Sequence, residues 1–241
     1  MTWVETSSTT NITSPTDKQK IKYDPGQIML SGRADVGPLF VSGQVIFAGS
    51  PHGTFSDVFP AFPAANFTAS VNSGNVYSFN GDAGYTVYSS PDFSVGVFGG
   101  YYAFDEFLYG TFPGFMAVFP LLSDQWRAGE GGVTFDKKFA VGAMPFDLRV
   151  TAAGLYDHLR AGAFSGNGGG ARVSGMLTFP LGPVSGNIFA QYTDLNASGS
   201  NTGVPLQFRN ENWSVGAGIS YSFGSEPTKS SAPMVFKAPS K

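Results

Sequence analysis

The amino-acid sequence predicts an all-β protein, a transmembrane antiparallel up-and-down β-barrel of about ten strands. Three observations support this prediction. Apolar residues recur at every second position in successive runs, the connections between runs alternate in length, and aromatic residues gather at both ends of the runs. In addition, charged residues make up 13% of the 241 residues, about half of the roughly 25% found in ordinary soluble domains. So few charges argue against a cytosolic domain, whose surface needs them.

Composition also excludes several classes of protein. A hydrophobic content of 42% is high enough to build a core, so the chain is not expected to be disordered. The net charge of −3 gives no electrostatic reason for a nucleic-acid partner. Because the chain has no cysteine, it has neither a disulfide framework nor thiolate metal ligands.

Nine runs of residues alternate between apolar and polar positions, as a strand with one apolar face does. They lie at residues 27–35, 39–49, 76–88, 93–104, 126–135, 146–156, 171–179, 184–194 and 213–223. A weaker run at residues 3–9 makes the tenth. One residue breaks the pattern, because Glu130 falls on the apolar parity of its run. We expect a β-bulge within the glycine-rich residues 129–132 to restore the alternation.

The apolar parity is clearest in five of these runs. In chain order it comprises Tyr77, Phe79, Ala83, Tyr85 and Val87; Phe146, Leu148, Val150, Ala152 and Tyr156; Val173, Leu177 and Phe179; Ile188, Ala190 and Tyr192; and Trp213, Val215, Ala217, Ile219, Tyr221 and Phe223.

Short and long connections alternate between the runs. The short ones are turns at residues 36–38, 89–92, 136–144 and 181–183. The long ones are polar or glycine-rich segments at about residues 10–20, 50–75, 105–123, 158–170 and 195–212. Antiparallel membrane barrels have this arrangement, with short periplasmic turns and long extracellular loops. The sequence therefore predicts that both termini are periplasmic.

Aromatic residues are expected to form two girdles at the membrane surfaces. The girdle near the outer rim comprises Tyr101, Trp126, Tyr156, Tyr192 and Trp213, and the opposite one comprises Tyr85, Phe93, Phe135, Phe146, Phe179 and Phe223. The alternative interpretation is that these residues fill the core of a soluble sandwich. A core gives no reason for two separate belts, which membrane barrels do show.

The polar parity carries charges that we expect to point into the lumen. They are Arg33, Asp35, Asp82, Arg127, Asp147, Arg149 and Arg172. An arginine on the lipid face at mid-depth would cost roughly 2–4 kcal/mol, so this shared parity supports the barrel. Opposite charges in a narrow barrel pair and close it, and we favour such a plug over a selectivity filter.

Several segments resemble a known family. They are residues 21–24 leading into 27–35, residues 39–43, residues 81–85 with 93–102, and the closing residues 212–223. Together they are similar to ten-stranded outer-membrane barrels of Gram-negative bacteria, related in architecture to omptins and opacity-type proteins. The resemblance covers residues 1–223 and implies lipid, lipopolysaccharide and the outer-membrane assembly machinery as partners. Residues 224–241, rich in Pro, Ser and Lys, depart from it and are expected to form a disordered periplasmic tail or linker.

The resemblance to omptins raises the question of proteolysis, because omptins use an Asp pair facing an Asp–x–His pair. The chain has two histidines, His52 and His158. Asp157 and His158 are adjacent, so on a strand their side chains point to opposite faces and cannot orient one water together. No Asp–x–Asp motif occurs, and two histidines without a carboxylate cluster predict no metal site. No cofactor motif is present.

We therefore expect a non-enzymatic outer-membrane protein that acts through its long extracellular loops on a surface ligand or host protein. Two alternatives remain open at this point. One is a narrow porin-like diffusion channel, and the other is an omptin-like surface protease.

Overall fold

Ten antiparallel strands close into a ring in the computed structural model of the protein, in which the described residues are 2–112 and 117–222. The strands are β1 (Thr2–Thr13), β2 (Lys18–Val36), β3 (Leu39–Val58), β4 (Phe67–Ser89), β5 (Phe93–Thr111), β6 (Phe119–Val141), β7 (Met144–Ala161), β8 (Phe164–Leu181), β9 (Val184–Asn201) and β10 (Val204–Ser220). Each strand pairs with its neighbours in sequence, and β1 pairs with β10. The predicted ten-stranded barrel is confirmed.

The described part of the chain contains no helix long and apolar enough to cross a bilayer. Its one helical turn is the 3-10 segment Pro63–Ala65 between β3 and β4.

The strands are tilted and are longer than a membrane requires. A path of paired residues leaves β10 at Gly218, runs once around the barrel through Thr2, and returns to β10 at Leu206, 12 residues away. Such a stagger tilts the strands by about 35–45°, and a strand at that tilt needs about 9–11 residues to cross the hydrocarbon core. Because β2 to β10 each have 17 to 23 residues, a large part of every strand lies outside it.

We call the end with the chain termini and the β2–β3, β4–β5, β6–β7 and β8–β9 turns the proximal end, and the other end the distal end. At the distal end the connections are residues 14–17, 59–66, 112–118, 162–163 and 202–203, of which residues 113–116 lie outside the described chain. The prediction of long loops there is wrong, because most of those residues extend the strands. Even a two-residue hairpin occurs, where Thr202 and Gly203 both have positive φ, as a type I′ turn requires.

The physical reason for this error is an inversion of the apolar face along each strand. On β9, Ile188 and Ala190 face outward, whereas further along the strand Leu195 and Ala197 face inward and are buried. A strand passing from lipid into water must turn its polar face outward and its apolar face inward. The alternation of apolar and polar residues therefore changes phase within the strand. In the sequence, this change of phase looks like the end of the strand.

The same inversion explains β6. The β6 pairs with β5 and β7 continue without a register shift through residues 129–132, so the predicted bulge there is wrong. Glu130 faces the lumen, and the apolar parity changes from outward at Val133 and Phe135 to inward at Ala128 and Trp126.

Glycines on the lumen side of β8 let neighbouring strands approach closely. A Cβ atom at Gly168 would collide with the backbone carbonyl oxygen of Asn196 on β9. Only glycine fits such an approach, and strong local curvature of this kind helps a small barrel to close.

Candidate functional site

The outer wall carries a lipid-facing belt bounded by aromatic residues. On its distal side Tyr101, Tyr156 and Trp213 are 44%, 72% and 60% exposed, and the Trp213 ring lies 4.5 Å from that of Tyr192. The structure adds a pair that the sequence analysis missed, Phe47 and Tyr77, in edge contact at 6.1 Å.

The proximal side of the belt contains the other predicted aromatic residues. Phe93 stacks with Phe135, and Phe146 packs against Phe179 with ring centroids 6.1 Å apart. Tyr85 is 49% exposed on the same wall. Phe223, also predicted for this girdle, lies outside the described residues.

Two of the predicted assignments on β6 are wrong. Trp126 points into the barrel and is fully buried, so it is not part of the girdle. Its neighbour Arg127 lies on the outer wall, where it forms a bidentate ion pair with Asp105 of β5. Both errors follow from the inverted parity, because these residues lie on the distal side of the belt, where outward side chains meet water.

The proximal part of the lumen contains paired charges. Arg33 bonds Asp35 at 2.9 Å and stacks over the ring of Phe40, and Arg149 bonds Asp136, which the sequence analysis missed. A cavity of about 750 Å³ opens at this end. Its lining includes Asp147, which was predicted for the lumen, with Lys138, Thr178 and Ser185. We call this cavity the proximal vestibule.

A buried charge cluster closes the middle of the lumen. The Arg172 guanidinium donates to Glu130 at 2.7 Å and lies 3.6 Å from Asp82. The amide of Asn80 donates to Asp82 as well. Arg172 and Glu130 have side chains only 3% and 0% exposed, so water does not reach this ion-paired layer at either residue.

The distal part of the lumen is an apolar core. Its largest members are aromatic and aliphatic side chains from eight strands: Ile21, Tyr23, Phe55, Tyr102, Phe104, Leu108, Leu122, Trp126, Leu155, Leu159, Phe164, Leu195 and Phe208. A cavity between this core and the charge cluster, lined by Tyr102 and Gln191 among others, measures about 10 Å³. That is at most roughly the space one water needs.

Three carboxylates are fully buried among these apolar side chains: Glu106, Asp124 and Asp157. The sequence analysis missed them, and the structure places each on the distal side of the belt at an inward position of its strand. Every basic side chain described in the distal half of the barrel lies instead on the outer wall: Lys18, Lys20, Lys22, His52, Arg127, His158, Arg160 and Arg209.

The two histidines lie away from the lumen. His158 faces outward, where its ring nitrogens lie 2.7 Å from the Asn167 side-chain oxygen and 3.4 Å from the Ser165 hydroxyl, whereas Asp157 faces inward. No three His, Cys, Asp or Glu side chains of the described residues come together as a metal site of such ligands would require.

The distal rim combines apolar and acidic features. An aromatic row runs across it, in which Phe67 packs against Phe55 at 5.7 Å and Phe112 at 5.4 Å, and Phe112 contacts Phe119 at 5.3 Å.

Beside this row the Gln19 amide donates to both Asp17 and Asp57. Burial, and then the neighbouring carboxyl of Asp17, raise the pKa of Asp57 to about 7.

Comparison with protein-family models and with curated protein sequences gave no match. Among solved structures, the outer membrane protease OmpT from Escherichia coli matches with a TM-score of 0.58 at 10% identity, over 90% of this chain and 94% of that chain. The β domain of the Bordetella autotransporter BrkA matches with a TM-score of 0.42 at 11% identity, over 92% of this chain and 98% of that chain. The closed ring, the outward apolar belt and the likeness to OmpT show that this chain has the fold of an outer-membrane β-barrel.

Proposed function

We propose that the protein is a non-enzymatic surface protein whose distal rim is extracellular and binds an apolar surface of a ligand or host protein. The observation that carries the proposal is exposed apolar surface on the described parts of the β3–β4 and β5–β6 connections, which we call the apolar tip. Phe62 is 72% exposed and Val118 is 56% exposed there. Exposed apolar surface of this kind, next to a polar wall, is typical of interaction sites.

The closed lumen supports contact rather than conduction as the role of this barrel. The apolar core and the Arg172 cluster fill the described lumen on the distal side of the proximal vestibule. A porin-like channel would instead need a continuous polar path. The expected result in planar bilayers is therefore little current, and a stable large single-channel current would support the alternative of a diffusion channel.

The outward position of His158 supports a non-enzymatic role. A protease site of the omptin kind needs a histidine and carboxylates around one water, and here Asp157 and His158 occupy opposite faces of β7. We expect no peptide cleavage by the folded protein. Cleavage that the wild type performs and the His158→Ala variant does not would revive the protease alternative.

The connections support the proposed orientation of the barrel. Every proximal turn has two or three residues, whereas the distal connections include segments of four, seven and eight residues, and the periplasmic end of such barrels has the short turns. Because the chain has no cysteine, single cysteines at Ala64 and Asp92 can be labelled without background. An impermeant maleimide on whole cells should label the Ala64→Cys variant and spare Asp92→Cys. The reverse result would place the apolar tip in the periplasm and end the proposal.

The apolar tip itself is tested by adhesion of intact cells to octyl-agarose beads, with plain agarose as the reference surface. The Phe62→Ser and Val118→Ser double variant should lose most of the adhesion that expression of the barrel confers. The matched control is Val204→Ser, which removes a 43% exposed valine at the β9–β10 hairpin, away from the tip. Equal adhesion of the double variant and the wild type, at equal surface amounts, would refute the proposed role of the tip.

Lipid, lipopolysaccharide and the outer-membrane assembly machinery remain the expected partners of the barrel wall. They are needed to insert a barrel of this kind rather than to explain its activity.

A further inference from the structure

The carboxyls of the lumen have arginine partners in the proximal and middle layers but not in the distal core. Asp35 and Asp136 bond arginines near the proximal end, and Glu130 and Asp82 share Arg172. In the described distal half, by contrast, every basic side chain lies on the outer wall. The ionisable side chains that face inward there are Tyr23, Asp57, Tyr102, Glu106, Asp124 and Asp157. A buried carboxyl with neither a cation nor hydrogen-bond donors is stable only as the neutral acid.

Glu106 on β5 has enough donors around it to hold a negative charge. It accepts hydrogen bonds from the Tyr23 hydroxyl, from Thr10 at 3.2 Å and Ser8 at 3.4 Å, and from the Asn210 amide at 3.1 and 3.2 Å. These donors come from β1, β2 and β10 and occupy both oxygens of the carboxyl. Hydrogen bonds of this kind favour the ionised form of a carboxyl.

Asp124 on β6 has no such help. It lies directly opposite Glu106 in the strand register, and paired residues on one face of a sheet have Cβ atoms about 4.5–5.5 Å apart. Asp124 is fully buried on the distal side of the lipid-facing belt, and neither of its oxygens has a hydrogen-bond partner among the described protein atoms. Burial, and then the negative charge of Glu106, raise the pKa of Asp124 well above its usual value.

The third carboxyl of the core, Asp157 on β7, differs from Asp124. Burial raises the pKa of Asp157 to about 6, and the backbone of Asn196 and a positive charge on His158 limit this rise. The hydroxyl of Tyr23 stays neutral, because burial raises its pKa above the usual value. Of the buried carboxyls described in this core, Asp124 is therefore the least able to hold a charge.

We propose that Asp124 acts as a proton-operated lock on the distal half of the barrel. With its proton, the side chain is neutral and fits among the apolar residues of the core. Without it, a negative charge faces the Glu106 carboxylate inside that core, and the distal strands must loosen to admit water. The membrane-spanning part keeps its paired charges, so the opening is confined to the distal half. This lock does not depend on the role of the apolar tip.

The pH dependence of the lock has a definite sign. A carboxyl whose pKa is raised on folding contributes its full stability below the unfolded value of about 4, and this stability is lost as the pH rises through the folded value. Above the folded value, one lost proton increases the equilibrium constant for opening about tenfold per pH unit. The distal half should therefore be closed in acid and loosened in base.

Cysteine labelling measures this opening, because the chain has no cysteine of its own. Ala197→Cys places a thiol in the distal core, where the alanine is 2% exposed, and Ala64→Cys provides an exposed reference thiol. The full-length chain is folded in detergent micelles and labelled with a methanethiosulfonate reagent from pH 6 to pH 10. The ratio of the two labelling rates cancels the ionisation of the thiol itself and gives the protection of the core. Asp57 titrates separately at the rim, so all these proteins carry Asp57→Asn.

The protection of Ala197→Cys should fall about tenfold per pH unit once Asp124 titrates. A thiol in the membrane-spanning part, introduced by Ala153→Cys where the alanine is 7% exposed, should keep its protection throughout. A gel-mobility difference between unheated and boiled samples shows that each protein has folded.

Replacing Asp124 should abolish the pH dependence. Asp124→Asn resembles the protonated acid in shape and cannot ionise, so the protection of Ala197→Cys should be the same at every pH. Asp124→Leu tests the same loss of charge with an apolar side chain. The matched controls are Asp24→Asn, at an exposed carboxyl of the distal wall, and Asp157→Asn, and both should keep the fall in protection.

Three results would overturn the proposal. The first is constant protection of Ala197→Cys from pH 6 to pH 10 in the parent protein. The second is the same fall in protection in Asp124→Asn and Asp124→Leu as in that parent. The third is an equal loss of protection at Ala153→Cys, which would mean that the whole barrel opens at once. The adhesion of the apolar tip is measured at one pH and is independent of all three.

Discussion

Removing the positive charge of Arg172 from the middle of the lumen should destabilise the barrel strongly. The Arg172→Leu variant leaves Glu130 and Asp82 without a positive partner, and both are buried, since their side chains are 0% and 7% exposed. Breaking a buried ion pair by deleting one partner costs about 3–5 kcal/mol, because the remaining charge is uncompensated. Replacing both residues, in Arg172→Leu with Glu130→Leu, removes that charge and should restore most of the loss. Asp82 then keeps the amide of Asn80.

The measurement is urea unfolding of the protein in detergent, followed by the mobility shift between folded and unfolded bands. A matched control is Arg209→Leu, which breaks ion pairs on the outer wall, where the arginine is 50% exposed. Such exposed pairs contribute at most about 1 kcal/mol, so this variant should unfold close to wild type. If Arg172→Leu also unfolds close to wild type, or if the double variant is less stable than the single one, the assignment of an ion-paired layer is wrong.

Three further predictions test other parts of the barrel. Gly168→Ala should lower the free energy of unfolding by several kcal/mol or prevent folding, because the new Cβ atom would collide with a backbone carbonyl. Gly175→Ala, on the open outer face of β8, is the control and should be tolerated. Equal stabilities of the two variants would contradict this prediction. Arg127→Leu should lower stability by less than about 1 kcal/mol, since the pair is on the outer wall; a loss like that of Arg172→Leu would return Arg127 to the lumen. Because the pKa of Asp57 is raised to about 7, the stability it contributes is complete below about pH 4 and is lost as the pH rises through 7. The unfolding midpoint of wild type should therefore fall between pH 4 and pH 8 more than that of Asp57→Asn, and parallel curves would exclude this carboxyl as the cause.

The sequence was sufficient to predict the ring of strands and most of the proximal wall. In the lipid-spanning part of each strand the outward residues are apolar and the lumen is polar, as at Trp213, Val215 and Ala217. A single period therefore identifies both faces. Within that part, Asp82, Arg149 and Arg172 lie on the predicted side of the wall.

The distal half was not predictable by the same rule, because the solvent changes along the strand while the backbone does not. On the distal side of the belt the apolar residues point inward. Because the rule for the lipid-spanning part was applied there too, Trp126 was assigned to the lipid face and Arg127 to the lumen. The buried carboxylates were missed for a related reason. An acidic residue such as Asp124, inside a segment that reads as a polar loop, carries no sign that it lies in a core, and only the register that places it opposite Glu106 shows this.

The barrel thus combines two kinds of protein along one set of strands. The proximal part is a membrane barrel with paired charges in a polar lumen, and it needs lipid to cover its outer wall. The distal part resembles a soluble β-barrel, with an apolar core inside and charges such as Arg127 and Arg209 outside. Because this core fills the lumen, Phe62 and Val118, on the two longest distal connections, have no cavity beneath them to collapse into. They remain exposed above the core, and this exposure is the condition that the proposed contact surface requires.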